Sequence, residues 1–123
     1  MILGIGTDIV QVSRMQKWIE NPDLLARFFN PSEMMMGGSD SARCQHYASR
    51  FAAKEAFSKA LGTGITGFSL KDVYITNDDS GKPLLNISES AAALLGSRCG
   101  DCRTHVSLSH EREYATAFVI IEG

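Results

Sequence analysis

The stretch from Ser41 to Leu61 limits what this chain can become more than any other. It is alanine-rich, has Asp40 or Ser41 available as an N-cap, and ends at Gly62, where a left-handed C-terminal cap is wanted, so it reads as one long helix. On either side the period changes. Ile2 to Val12 alternates, with Leu3, Ile5, Thr7 and Ile9 on one side and Ile2, Gly4, Gly6, Asp8 and Val10 on the other, and reads as a strand. Met15, Trp18 and Ile19 predict a short helix broken at Asn21-Pro22, and Leu24 to Phe29 another turn or two before Asn30-Pro31. Beyond the long helix, Leu70 to Thr76 and Leu84 to Ile87 read as a hairpin around Asp78-Asp79-Ser80-Gly81. Ser88 can cap a short helix with Ala91 to Leu95 as its apolar face and Gly96 at its end, and Thr104 to Ser109 with Tyr114 to Ile121 closes the chain as a second hairpin. The result is an α+β fold, a mainly antiparallel sheet packed against a long central helix, in one domain over residues 1–123.

At 123 residues the chain can bury a core without disulfide or metal staples. Twelve basic against 14 acidic side chains, a net charge of −2, argues against a protein that grips nucleic acid through a basic surface. No apolar stretch approaches the roughly 20 residues of a membrane helix, and Met1 to Asp8 lacks a signal peptide's cationic start, so a soluble cytoplasmic protein is expected. Its three cysteines, an odd number, read as free thiols.

Several motifs carry chemistry on paper. Gly62-Thr63-Gly64-Ile65-Thr66-Gly67 satisfies G-x-G-x-x-G, but it follows a helix and precedes a strand, the reverse of a dinucleotide-binding turn; a helix cap and tight turn is the better reading. Cys99, Cys102 and His105 make C-x-x-C-x-x-H, with Cys44 or His46 as an imaginable fourth ligand, yet no second closely spaced pair completes a zinc site. Ser107, His110 and Asp8 lack the nucleophile elbow of a hydrolase. Asp8 stands out more, since a carboxylate inside an apolar strand whose neighbours Ile9 and Val10 should be buried needs a basic partner, backbone amides or a hard cation. A second carboxylate, Glu55, shares a helix face with Phe51, Ser58, Lys59 and Gly62, while Arg50, Lys54 and Phe57 line the adjacent one; Glu55 with Lys59 also matches an ordinary exposed helix pair.

Taken together, Gly4-Ile5-Gly6-Thr7-Asp8-Ile9-Val10 with Arg14, the run Phe51-Ala52-Ala53-Lys54-Glu55-Ala56-Phe57-Ser58-Lys59-Ala60-Leu61-Gly62-Thr63-Gly64, and His105-Val106-Ser107-Leu108-Ser109-His110 with Tyr114-Ala115 resemble the holo-acyl-carrier-protein synthases, the short bacterial type of 4′-phosphopantetheinyl transferase. The likeness runs in order from Ile2 to Glu122; Met34-Met35-Met36, Gly37-Gly38 and Cys99-Gly100-Asp101-Cys102 match no family motif. It implies transfer of phosphopantetheine from coenzyme A to a serine of apo-acyl carrier protein, with release of adenosine 3′,5′-bisphosphate, in support of fatty acid biosynthesis. By the same resemblance Asp8 and Glu55 hold Mg²⁺, which suits two carboxylates completed by pyrophosphate and water, and Lys59 adds a second positive charge. The base is Glu55 through water, Asp8 or a histidine of the last hairpin. Lys54, Ser58, Gly64 and Pro83 contribute to the coenzyme cleft, His105 and His110 line or brace it, Arg50 meets nucleotide phosphates and Arg14 contacts the acidic carrier protein. The resemblance further implies a homotrimer with sites between subunits. The same metal and nucleotide with water as acceptor would instead make a pyrophosphohydrolase, and the cysteines with His105 a zinc-holding module.

Overall fold

The structure, a computed structural model, describes all residues from Met1 to Gly123. Strand β1 (Ile2–Gln11) leads through a 3-10 turn (Val12–Met15) into the short helices α1 (Gln16–Ile19) and α2 (Pro22–Phe28), and a second 3-10 turn (Pro31–Glu33) precedes the long α3 (Asp40–Leu61). A third 3-10 turn (Leu70–Asp72) opens the hairpin β2 (Val73–Asn77) and β3 (Pro83–Ile87); α4 (Glu89–Cys99), β4 (Arg103–His110) and β5 (Tyr114–Glu122) complete the chain. Two antiparallel sheets result, one ordered β1-β5-β4 and the other β2-β3. The α+β class and the central helix thus follow the sequence pattern.

Where the boundaries differ, hydrogen bonding gives the reason. The helix α3 is capped one residue earlier than expected, by Ser39, whose Oγ accepts from Ala42 N at 3.1 Å. Leu70 to Asp72 coils instead of extending, because the Asp72 N–H donates to the Ser69 carbonyl. Helix α4 runs through Gly96 and stops only at Gly100, whose N–H donates back to the Gly96 carbonyl. The cysteines also differ from expectation: Cys99 and Cys102 are joined as a disulfide across the turn after α4, and only Cys44, buried, is free.

The core lies between α3 and the inner face of the larger sheet. Ala48, Ala52, Ala53 and Ala56 on the helix are fully buried, and Val10, Ala115, Ala117 and Val119 meet them from β1 and β5. Tyr47 and Phe57, both fully buried, fill the ends, each contributing roughly 2 kcal/mol by burial. The strand β1 lies directly on the helix because it carries glycine at the crossing. A Cβ on Gly4 would run into the Ala60 carbonyl, and one on Gly6 into that of Ala56. This close approach brings the next inward-facing position of β1, Asp8, against the last turns of α3. Ile5 and Ile9 point the other way and are each 60% exposed, so Ile9 is not the buried neighbour the sequence led one to expect.

Candidate functional site

Asp8 is half-buried on the inner face of β1, and its Oδ1 accepts from Lys59 Nζ at 3.1 Å, while the same ammonium donates to the Thr7 carbonyl at 3.0 Å. The pair is open to water on the lysine side, where the side chain is 54% exposed against 17% for Asp8. Glu55 lies one helical turn before Lys59. Its carboxyl is held above the usual carboxylate range, first by partial burial and then by the negative charge of Asp8, with Lys59 and Arg14 pulling the other way. Arg14, exposed in the turn after β1, therefore belongs to the same electrostatic cluster. No side chain or backbone group of the chain donates a hydrogen bond to the Glu55 carboxylate, nor does Glu55 form a salt bridge.

Two neighbouring carboxylates, one of them unpartnered, form an oxygen donor set of the kind a hard divalent cation takes when phosphates and water complete its shell. No group of three or more His, Cys, Asp or Glu side chains assembles anywhere in the chain, so there is no closed all-protein cage and Cys99, Cys102 and His105 form no zinc centre. Those cysteines are bonded to each other, and His105 Nε2 instead meets Glu122 Oε1 at 3.0 Å.

The other expected site residues fall into three places. Arg50 lines a cavity of about 240 Å³ with Met35, His46, Ser49 and His110. Its Nη1 donates to Ser49 Oγ at 3.1 Å, and its buried Nε is the one buried side-chain nitrogen or oxygen without a partner. Pro83 and His105 share a second cleft, of about 180 Å³, with Lys82, Leu85 and Thr104. Gly64 sits in the exposed loop after α3 with φ +64, and no atom lies within 4 Å of where a Cβ would stand. The pairing register puts Asp8 opposite Ala117 on the inner face of the sheet, whereas His105 lies opposite Ile120, which alternates with the buried Val119 and Ile121 and shares the outer face with Ile5. The two residues are therefore on opposite faces of one sheet.

Two expectations need correction. Lys54 does not face a coenzyme cleft: it is 1% exposed, and its three donors go to Glu33 Oε1 at 2.7 Å, to the Leu70 carbonyl at 3.1 Å and to the Val73 carbonyl, leaving none for a ligand. Ser58 is likewise turned inward, 1% exposed, and its hydroxyl donates to the Glu55 carbonyl at 2.6 Å. Glu33 itself went unnoticed in the sequence. Its signal was the capping-box spacing of Asn30-Pro31-Ser32-Glu33, in which Asn30 Oδ1 accepts from Ser32 N at 3.0 Å and Glu33 Oε1 from Asn30 N at 3.0 Å. Glu122, which receives both Arg103 and His105, carried no such signal.

The small α+β fold is shared with a known class of enzymes. The family profile described as the 4′-phosphopantetheinyl transferase superfamily matches residues 4–119, and the chain belongs to that family. It is 49% identical to a holo-[acyl-carrier-protein] synthase of Treponema denticola over 125 aligned residues, covering all of both chains. Among solved structures it resembles a holo-[acyl-carrier-protein] synthase from Neisseria meningitidis, with a TM-score of 0.85 and 36% identity over 100% of each chain. A holo-(acyl-carrier-protein) synthase from Bacillus anthracis in complex with CoA (3′,5′-ADP) matches with a TM-score of 0.80 and 36% identity, over 100% of this chain and 98% of that one.

Proposed function

We propose that this protein moves 4′-phosphopantetheine from coenzyme A to a serine hydroxyl of apo-acyl carrier protein. The serine oxygen bonds to the β-phosphorus of coenzyme A, the pyrophosphate P–O bond breaks, and adenosine 3′,5′-bisphosphate leaves with the electron pair. The observation that carries this reading is the open cluster of Asp8, Glu55 and Lys59, on a chain whose relatives at full coverage are holo-acyl-carrier-protein synthases and one of whose structural neighbours was solved with the coenzyme.

In this reading Asp8 and Glu55 hold Mg²⁺, which when bound neutralises the charge that develops on the pyrophosphate. Lys59, already 3.1 Å from Asp8, places its ammonium where the leaving phosphate gathers charge. The serine proton passes to Glu55 through an intervening water. Arg50, which lines a cavity shared with His110, is a cation suited to a nucleotide phosphate. Arg14, exposed beside the cluster, meets the acidic carrier protein.

We assign the functional unit to a homotrimer, with a single transferase domain over residues 1–123 in each subunit. Two features support it. The outer sheet face leaves Ile5 and Ile9 60% and Phe118 53% exposed, an apolar surface of the kind subunit contact covers. A coenzyme that touches His105 as well as Asp8 has to receive one of them from a neighbouring copy, because they stand on opposite faces of one sheet. No helix is long and apolar enough to cross a membrane, and the reaction belongs in the cytoplasm with its substrates, where it supports fatty acid biosynthesis.

Mass spectrometry of apo-acyl carrier protein after incubation with the protein, coenzyme A and Mg²⁺ tests the reading. A phosphopantetheine adduct on the carrier serine is expected. An unmodified carrier, together with free phosphopantetheine released whether or not carrier is present, would instead make water the acceptor.

A further inference from the structure

We infer that the buried Lys54–Glu33 pair is a positioning device for the transfer site: it fixes the rotation of α3 that turns Glu55 and Lys59 towards Asp8. The inference rests on the transferase reading above. Lys54 and Glu55 are adjacent, so their side chains leave the helix about 100° apart. One is sealed in the interior and the other faces the cluster, and whatever holds the first in place sets the direction of the second.

The hold on Lys54 is directional and complete. Its ammonium donates to Glu33 Oε1, to the Leu70 carbonyl and to the Val73 carbonyl. Glu33 in turn accepts from Asn30 N at 3.0 Å and, through Oε2, from Ile75 N at 3.1 Å. One ion pair therefore ties α3 to the turn at Pro31–Glu33, the turn at Leu70–Asp72 and the strand β2. The contact on the other side of the helix has the opposite character. Where β1 crosses α3 it offers Gly4 and Gly6 to Ala56 and Ala60, with only the half-exposed Lys59 side chain reaching from helix to strand, to Asp8 and the Thr7 carbonyl. Such a contact sets how closely strand and helix approach, and leaves the roll of the helix to be set elsewhere. Tyr47, Phe51 and Phe57 contribute aromatic contacts, but hydrogen bonds to charged groups are steeper in angle.

The leverage is large. A carboxylate about 5–6 Å from a helix axis moves about 2 Å when the helix rolls by 20°, and misplacement of about 1 Å at a reacting group can cost a hundredfold in rate. An apolar pair of similar volume would fill the same space and generally folds as well or better. What such a pair lacks is the ability to specify an angle.

The test compares Glu33→Gln, and Glu33→Gln combined with Lys54→Met, with the unaltered protein. The amide at position 33 keeps an acceptor for only one of the backbone N–H groups of Asn30 and Ile75 and sets its NH2 against the other, so both variants are expected to lose stability; thermal unfolding measures the folded fraction and every readout is taken per folded molecule. The readouts are kcat, KM for coenzyme A, and binding of Mn²⁺ followed by the loss of the free-ion electron paramagnetic resonance signal. The expected result is a fall in kcat of about tenfold or more and Mn²⁺ binding weakened about tenfold in both variants, with KM for coenzyme A within about twofold. Unchanged kcat and Mn²⁺ binding per folded molecule would overturn the inference and leave the pair a stabilising element only. A rise in KM with kcat retained, seen when Lys54 is replaced and not with Glu33→Gln alone, would overturn it in favour of a direct coenzyme contact. If the unaltered protein modifies no carrier, the transferase reading has failed; the Mn²⁺ titration still decides whether the pair positions the two carboxylates.

Discussion

Helix α3 carries two carboxylate–lysine pairs, Glu33–Lys54 at 2.7 Å and Asp8–Lys59 at 3.1 Å, joined to different partners on different sides. In the first, both side chains are at most 1% exposed and every donor of the ammonium is used within the chain. In the second, the lysine is half in water, and an additional carboxylate, Glu55, stands beside the pair with no donor of its own. The same residue types thus give a closed structural pair and an open chemical one. The difference lies in what else reaches each pair: backbone carbonyls and an amide N–H from β2 and its preceding turn close the first, while the glycine crossing of β1 leaves the second at a surface.

The open pair should show its character most strongly in activity. Glu55→Gln and Asp8→Asn are each expected to lower carrier modification at least about a hundredfold, measured as initial rate at saturating Mg²⁺ and coenzyme A, while both proteins remain folded. Glu55→Gln should also raise the melting temperature slightly in chelator-treated buffer. The sign follows from linkage: a carboxyl whose pKa is higher in the folded than in the unfolded chain destabilises the fold once pH rises through that range, and the amide removes the charge. A variant that loses transfer and gains stability separates function from folding.

The closed pair should show the reverse balance. Lys54→Met leaves Glu33 buried without its cation and is expected to cost about 3–5 kcal/mol of stability, read from urea or thermal unfolding. Next in size is Gly6→Ala, which drives a Cβ into the Ala56 carbonyl and should cost about 1–3 kcal/mol, with a loss of transfer because Asp8 shifts with its strand.

How much of this was legible in the sequence depends on whether a signal was local. The strand β1, the helix α3 and the final hairpin announced themselves by period and by caps. Asp8 was conspicuous as a carboxylate among apolar neighbours, but its partnership with Glu55 and Lys59 came only from the family resemblance, since their spacing alone matches an ordinary exposed helix pair. The burial of Lys54 was not legible, because nothing in Lys54-Glu55 says which of the two faces inward. That choice is made by Glu33, by Ile75 N and by two carbonyls distant in sequence. The outward turn of Ile5 and Ile9 escaped for a related reason: alternation defines two faces without saying which is covered, and here the glycine face is the one that meets the helix. The Cys99–Cys102 disulfide was misread because an odd count argued for free thiols, whereas the turn at Gly100 brings the two together.

Two smaller effects sharpen the contrast. His46 donates its Nε2 proton to the Glu33 carbonyl, and burial holds its pKa below the usual 6.5. As pH falls through 6.5 the unfolded chain takes up this proton before the folded one, so stability is present above that pH and is lost below it, levelling off beneath the lowered folded pKa. His46→Gln should flatten the slope of melting temperature between about pH 7 and pH 5, an effect below about 1 kcal/mol. Smallest of all, Lys59→Gln should change stability by under about 1 kcal/mol, since its pair with Asp8 is solvent-exposed, while lowering kcat clearly.

Diffraction from crystals containing Mn²⁺ and coenzyme A addresses the two carboxylates directly. An anomalous peak is expected within coordination distance of both the Asp8 and the Glu55 oxygens, with pyrophosphate oxygens completing the shell. A cation bound elsewhere, or Asp8 and Glu55 turned away from each other with the coenzyme in place, would contradict the assignment.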